Sequence, residues 1–186
     1  TSGSATVASP DMLAQFPAGA EIASTDFVTV ALKGATVFNT VYGDDPDFDF
    51  DPGDNGAPAM LGTYPSTAVL TNSDEMMVLF RWDGVSNLVE DFDYLVWGNT
   101  SDAMNKSNVM VGGETYNAET STAMQSPASA PDNMESLHRC DTAEITEADG
   151  GNGVSGKDET SENFAAGWRI SNMPSPGTAP AVDFCP

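Results

Sequence analysis

The sequence is poor in the side chains that most catalysis and most nucleic-acid binding require. Its 186 residues include one histidine, six bases and two cysteines. A lone histidine, His138, and two distant cysteines argue against zinc. No Gly-x-Ser-x-Gly surrounds any serine, and no Gly-rich phosphate loop follows a strand. Long hydrophobic runs are missing too. The longest ("VTVAL", "MMVLF", "YLVW") are far too short to span a bilayer. No signal peptide is visible and the chain opens at Thr1, so a processed product or a fragment of a longer precursor is expected.

Acid is what the chain has instead. Twenty-eight carboxylates give a net charge of −22 and a pI near 4.1. Phosphate backbones and anionic membrane surfaces are repelled, which excludes nucleic acid and membrane insertion as partners. Salty water or divalent cations suit such a surface. Apolar residues make up 40% and the mean hydropathy is −0.24, values of a folded soluble protein. Cys140 and Cys185 lack any motif of thiol chemistry, so a disulfide and an extracellular or cell-surface setting are expected. Closing that loop is worth roughly 4 kcal/mol by chain entropy.

Residues 1 to 15 read as a linker, and residues 16 to 186 as one domain. Phe27 to Leu32 reads as a strand from its β-branched content. Val37, Phe38 and Val41 lie near helical spacing, with Gly43 as the stop. Met76 to Trp82, the turn "DGVSN", and the alternation of Phe92, Tyr94 and Val96 make a hairpin. Residues 99 to 135 form a long polar excursion. "ESLHR" and "GWRI" are further short strands. Short strands between turn-rich segments favour an antiparallel sandwich over α/β.

Motifs in order resemble the bacterial lamin-tail domain family, from about residue 16 to 180. They are "FPAGAEIASTDFVTVA", "VFNTVYGDDPDF" with "DNGAPAM", Leu70-x-Asn72-x-Asp74 before "MMVLFRWDG", and "VEDFDYLVWG" ending on Trp97 and Gly98. Ser136, Leu137 and Arg139 of "ESLHR" and Pro174, Pro176 and Gly177 of "NMPSPGTAP" follow. The resemblance implies an all-β, immunoglobulin-like antiparallel β-sandwich with long irregular loops and one short helix. Residues 1 to 15 contain nothing like the family's opening strands. The resemblance therefore implies a sheet edge that accepts a strand from another protein or a neighbouring subunit, as in a homo-oligomer.

"GDDPDFDFDPGDNG" is the sharpest chemical candidate. Asp45, Asp47, Asp49, Asp51, Asp54 and Asn55 could supply calcium with oxygens. Pro52 and Pro58 stand where an EF-hand needs Gly and Glu. In an extended strand the acids would be solvated and Phe48 and Phe50 would face the core, so calcium requires a bend at Pro46 or Pro52. A second acidic candidate is Asp141, Glu144, Glu147, Asp149, Asn152 and Asp158, where "DGGNG" offers tight turns. Asn99 and Asn105 head glycosylation sequons. The expected function is non-catalytic: a subunit of a surface or extracellular assembly held by strand pairing and stabilised by calcium. An adhesion or anchoring module of a larger secreted protein is the alternative, and a hydrolase the distant one.

Overall fold

Glycine, proline and Asx turns cut this chain into strands of two to eight residues. The computed structural model describes residues 12–51, 53, 54, 56–63, 70–179, 184 and 185. The fold is mainly β, with twelve strands in small two-stranded sheets and two α-helices among the described residues. Two compact units divide the chain: Thr1–Leu70 with Ser175–Ala179, and Thr71–Pro174 with Pro180–Pro186.

In the first unit β1 (Leu13–Gln15) pairs antiparallel with β4 (Leu61–Thr63), so residues 13–15 of the expected linker are strand. β2 (Val30–Ala31) runs parallel to β3 (Phe48–Asp49). The expected strand from Phe27 to Leu32 is thus only two residues long. Its partner is equally short, because Pro46 carries no N–H and the chain turns again at residues 51–54. Helix α1 (Ala35–Tyr42) stops at Gly43, whose φ of 78° and N–H to the Asn39 carbonyl (2.8 Å) form a left-handed C-cap.

The second unit is built on the expected hairpin, β5 (Glu75–Arg81) against β6 (Glu90–Trp97). A bulge lies opposite Leu79 and Phe80. β6 is the interior strand. Its other edge meets Ala128, whose N–H bonds the Val96 carbonyl at 2.9 Å, and bridges to Gly153. The 99–135 excursion therefore returns to the sheet. Along it, β7 (Met110–Val111) and β8 (Glu114–Thr115) form a small hairpin. Tyr94, Val96 and Phe164 are fully buried, with the two rings edge-on at 5.6 Å. The Tyr94 hydroxyl accepts from the Met104 N–H and donates to Gln125, which gives this buried phenol both its partners.

Three further pieces surround the candidate site. β9 (Ser136–Arg139) pairs with β12 (Trp168–Ser171), and β10 (Ala148–Asp149) with β11 (Lys157–Asp158). The single turn α2 (Phe164–Gly167) leads into β12. Cys140, just past β9, is disulfide-bonded to Cys185. No helix among the described residues is long and apolar enough to cross a membrane.

Candidate metal centre

The acidic segment 44–54 is where sequence density alone would put a cation. Most of its carboxylates are bound to donors of the same unit. Asp45 accepts from the Asn39 amide at 2.8 Å. Asp47 takes the N–H and hydroxyl of Thr29 (2.8 and 2.9 Å). Asp54 takes the N–H and hydroxyl of Thr36 (2.8 and 3.0 Å), in the first turn of α1. That turn carries orphan N–H groups and the positive end of the helix dipole, and Gly34 offers no side chain to cap it. The Thr36 N–H beside Asp54 holds its carboxyl below the usual range. The chain does bend at residues 51–54, where the Asp54 N–H bonds the Asp51 carbonyl and Asp51 also accepts from Gly53. Phe48 and Phe50 are half-buried and Asp47 and Asp51 exposed, as an extended strand requires.

Asp49 departs from that pattern: it is fully buried, and neither oxygen has a hydrogen-bond partner of good geometry. Burial raises its carboxyl. The backbone N–H groups of Ala35 and Asp51 favour the ionised form, and the charges of Asp54 and Asp51 oppose it. Asn55 lies outside the described residues.

The second acidic region brings carboxylates together. Glu144, Glu147 and Glu159 place one ligand oxygen each within 4.8 Å of one another. Two oxygens about 2.4 Å from one ion lie at most about 4.8 Å apart, so a single cation spans them. No other group of three His, Cys, Asp or Glu among the described residues meets that spacing. These three carboxylates could hold a metal ion.

Local geometry explains the convergence. Glu159–Ser161 is a 3-10 turn, capped by Asp158, which accepts from the Thr160 N–H and hydroxyl. Three residues per turn put Glu159 and Glu162 on one side. Glu144 and Glu147 have the same spacing across a turn closed by the Glu147 N–H to the Glu144 carbonyl at 3.3 Å. Two Glu-x-x-Glu pairs thus face a common centre. Glycine makes room for them. A Cβ at Gly153 would meet Glu159 Oε1 at 2.3 Å, and one at Gly167 would meet Glu162 Oε1 at 3.2 Å.

One base answers all this acid. Arg139 contacts Asp93 (2.7 Å), Glu144 (2.8 Å) and Glu162 (2.5 Å), and lies over the Trp168 ring. Asp93 Oδ1, Glu147 Oε1, Glu159 Oε2 and Glu162 Oε1 are buried without a hydrogen-bond partner. Glu159 is 5% exposed and Glu162 2%. Burial pushes the Glu159 carboxyl up, to about 8, and the Glu147 carboxylate beside it adds to the rise. Burial pushes Glu162 up, to about 7; Arg139 opposes this, and Asp93, Glu144 and Glu147 reinforce it. Asp93 and Glu147 are also raised, first by burial and then by the charge of Glu144. Carboxylates so close tolerate each other only with a proton or a cation between them.

Of the second acidic candidate, only Glu144 and Glu147 belong to this centre. Asp141 turns to the N–H groups of Ala143 and Glu144. Asp149 pairs with Lys157 at the surface, and Asn152 bonds Asn117 and Glu119. Asp158 accepts from the Thr120 N–H and hydroxyl. Glu159, Glu162 and Asp93 were missed by sequence reasoning. The repeated Glu-x-x-Glu spacing was the signal for the first two; nothing in the sequence marks Asp93, which reads as the outer face of a strand.

A second buried acid pair shows the ordinary solution. Lys106 contacts both Asp91 and Glu119, so a protein cation sits where the carboxylates meet. His138 Nε2 lies 2.9 Å from the Ser136 hydroxyl, but no carboxylate among the described residues bonds the ring. Asn99 is exposed, whereas the Asn105 amide is held by the Thr120 carbonyl. Comparison with protein-family models, with curated proteins and with solved structures gives no match for this chain.

Proposed function

We propose that this chain is a non-catalytic, extracytoplasmic structural module that holds calcium on Glu144, Glu147 and Glu159. The observation that carries this reading is the excess of buried carboxylate over base around Arg139. All the donors offered are hard oxygens, with no imidazole or thiolate, which favours calcium over zinc or copper. Calcium takes six to eight oxygens in flexible geometry, so nearby carboxylates, carbonyls and water complete the shell, whereas magnesium demands a tight octahedron. The disulfide and the acidic surface support an oxidising extracellular or cell-surface setting. The motif order supports a lamin-tail, immunoglobulin-like sandwich, and with it a subunit of a surface assembly held by strand pairing.

Calcium on this centre ties the 141–149 loop to the 159–162 turn, beside the disulfide at Cys140. Thermal melting tests the reading. Millimolar calcium raises the melting temperature by roughly 5–10 °C over chelator, the shift expected from occupancy near 100 times Kd in a chain of this size. Magnesium at equal concentration gives much less. No rise with calcium overturns the proposal.

A further inference from the structure

β5 is bonded to β6 along one side, and among the described residues no other strand or bridge joins its outer side. The outer strand reads Glu75-Met-Met-Val-Leu-Phe-Arg81, with five uncharged apolar residues and no proline between its ends. Met77 and Leu79 are each 51% exposed on one face. The bulge opposite Leu79 and Phe80 has its extra residue, Phe92, in β6. β5 therefore keeps a regular edge with none of the usual blunting by Lys, Pro or a bulge.

We propose that this edge pairs antiparallel with β5 of a second copy of the chain, about a two-fold axis through Val78. The charges of the strand argue for that occupant and that register. Antiparallel self-pairing sets Glu75 opposite Arg81 at both ends, where parallel pairing sets like charges together. It also places Met77 beside Leu79 of the other copy on the exposed face. Arg81, already paired with Glu90, then lies between two carboxylates of opposite copies. The contact is isologous and consumes the edge in both chains, so assembly by it stops at a dimer. Each copy carries −22, so long-range repulsion opposes the pairing and salt strengthens it. A partner recruited by its basic charge behaves in the opposite way.

This inference rests on the strand-pairing part of the proposed function and names its partner. Sedimentation equilibrium of the whole chain at about 0.05 and about 0.5 M NaCl tests it. The expected mass at the higher salt is twice 19.4 kDa, with weaker association at the lower salt. Leu79→Lys weakens the dimer by at least about tenfold. Glu75→Arg and Arg81→Glu each weaken it, and the double variant restores it. Circular dichroism checks that each variant is folded. A monomer at both salts, a dimer indifferent to Leu79→Lys, or particles larger than a dimer each overturns self-pairing through β5. Calcium-dependent melting is read separately, so the structural reading stands or falls on its own.

Discussion

The segment 44–54 and the region 141–162 are both dense in acid, yet their carboxylates find different partners. In the first, Asp47 and Asp54 find backbone N–H groups and threonine hydroxyls, and Asp54 caps the bare start of α1. In the second, Glu147 and Glu159 meet each other, and a single guanidinium serves Asp93, Glu144 and Glu162. Acidic density alone therefore does not say where carboxylates lack donors. What matters is whether the fold brings donors or only more acceptors to the same place. The Lys106 pair marks the middle ground, with one protein cation for two carboxylates.

Breaking the second region has the largest expected effect. Arg139→Met leaves Glu162 buried without its base, which costs about 3–5 kcal/mol in chelator. Urea unfolding measures it, and calcium recovers part of the loss. Glu159→Gln comes next. It removes a carboxyl that the folded chain must hold protonated at neutral pH, so the variant melts higher than the native chain in chelator and loses the calcium-dependent rise. Asp54→Ala sharpens the contrast from the other side. It lowers the melting temperature by uncapping α1 and leaves the calcium-dependent rise intact.

The pH dependence comes from the same buried carboxyls. Glu159 and Glu162 titrate in the folded chain near 8 and near 7, above the ordinary carboxylate range of about 4.3. Between those limits the folded state holds more protons than the unfolded state. Stability in chelator therefore falls as pH rises from about 5 to about 8, and the contribution is complete below about pH 4. Asp54, Asp83 and Asp149 are shifted downward and titrate below this window. Melting curves across the range in chelator give the slope, and saturating calcium flattens it.

Much of the fold was legible because its signals are local. Alternation and the "DGVSN" turn announced the β5–β6 hairpin, and Gly43 announced the end of α1. "ESLHR" and "GWRI" are β9 and β12, which pair with each other. Legibility fails where long-range pairing decides. Phe27 to Leu32 has strand composition, but its partner is cut short and only Val30 and Ala31 pair. The 13–15 strand was hidden because its partner lies about fifty residues away. At the candidate centre, Glu144 and Glu147 stood out in an acidic, turn-rich stretch. Asp93 did not, because its place beside Arg139 depends on how β6 and β9 come together.

Calcium stoichiometry by isothermal titration calorimetry bears most directly on which acidic region holds the ion. The account predicts about one ion per native chain, the same for Asp54→Ala, and none at millimolar affinity for Glu159→Gln. Native stoichiometry in Glu159→Gln, or its loss in Asp54→Ala, would place the ion elsewhere and contradict the account.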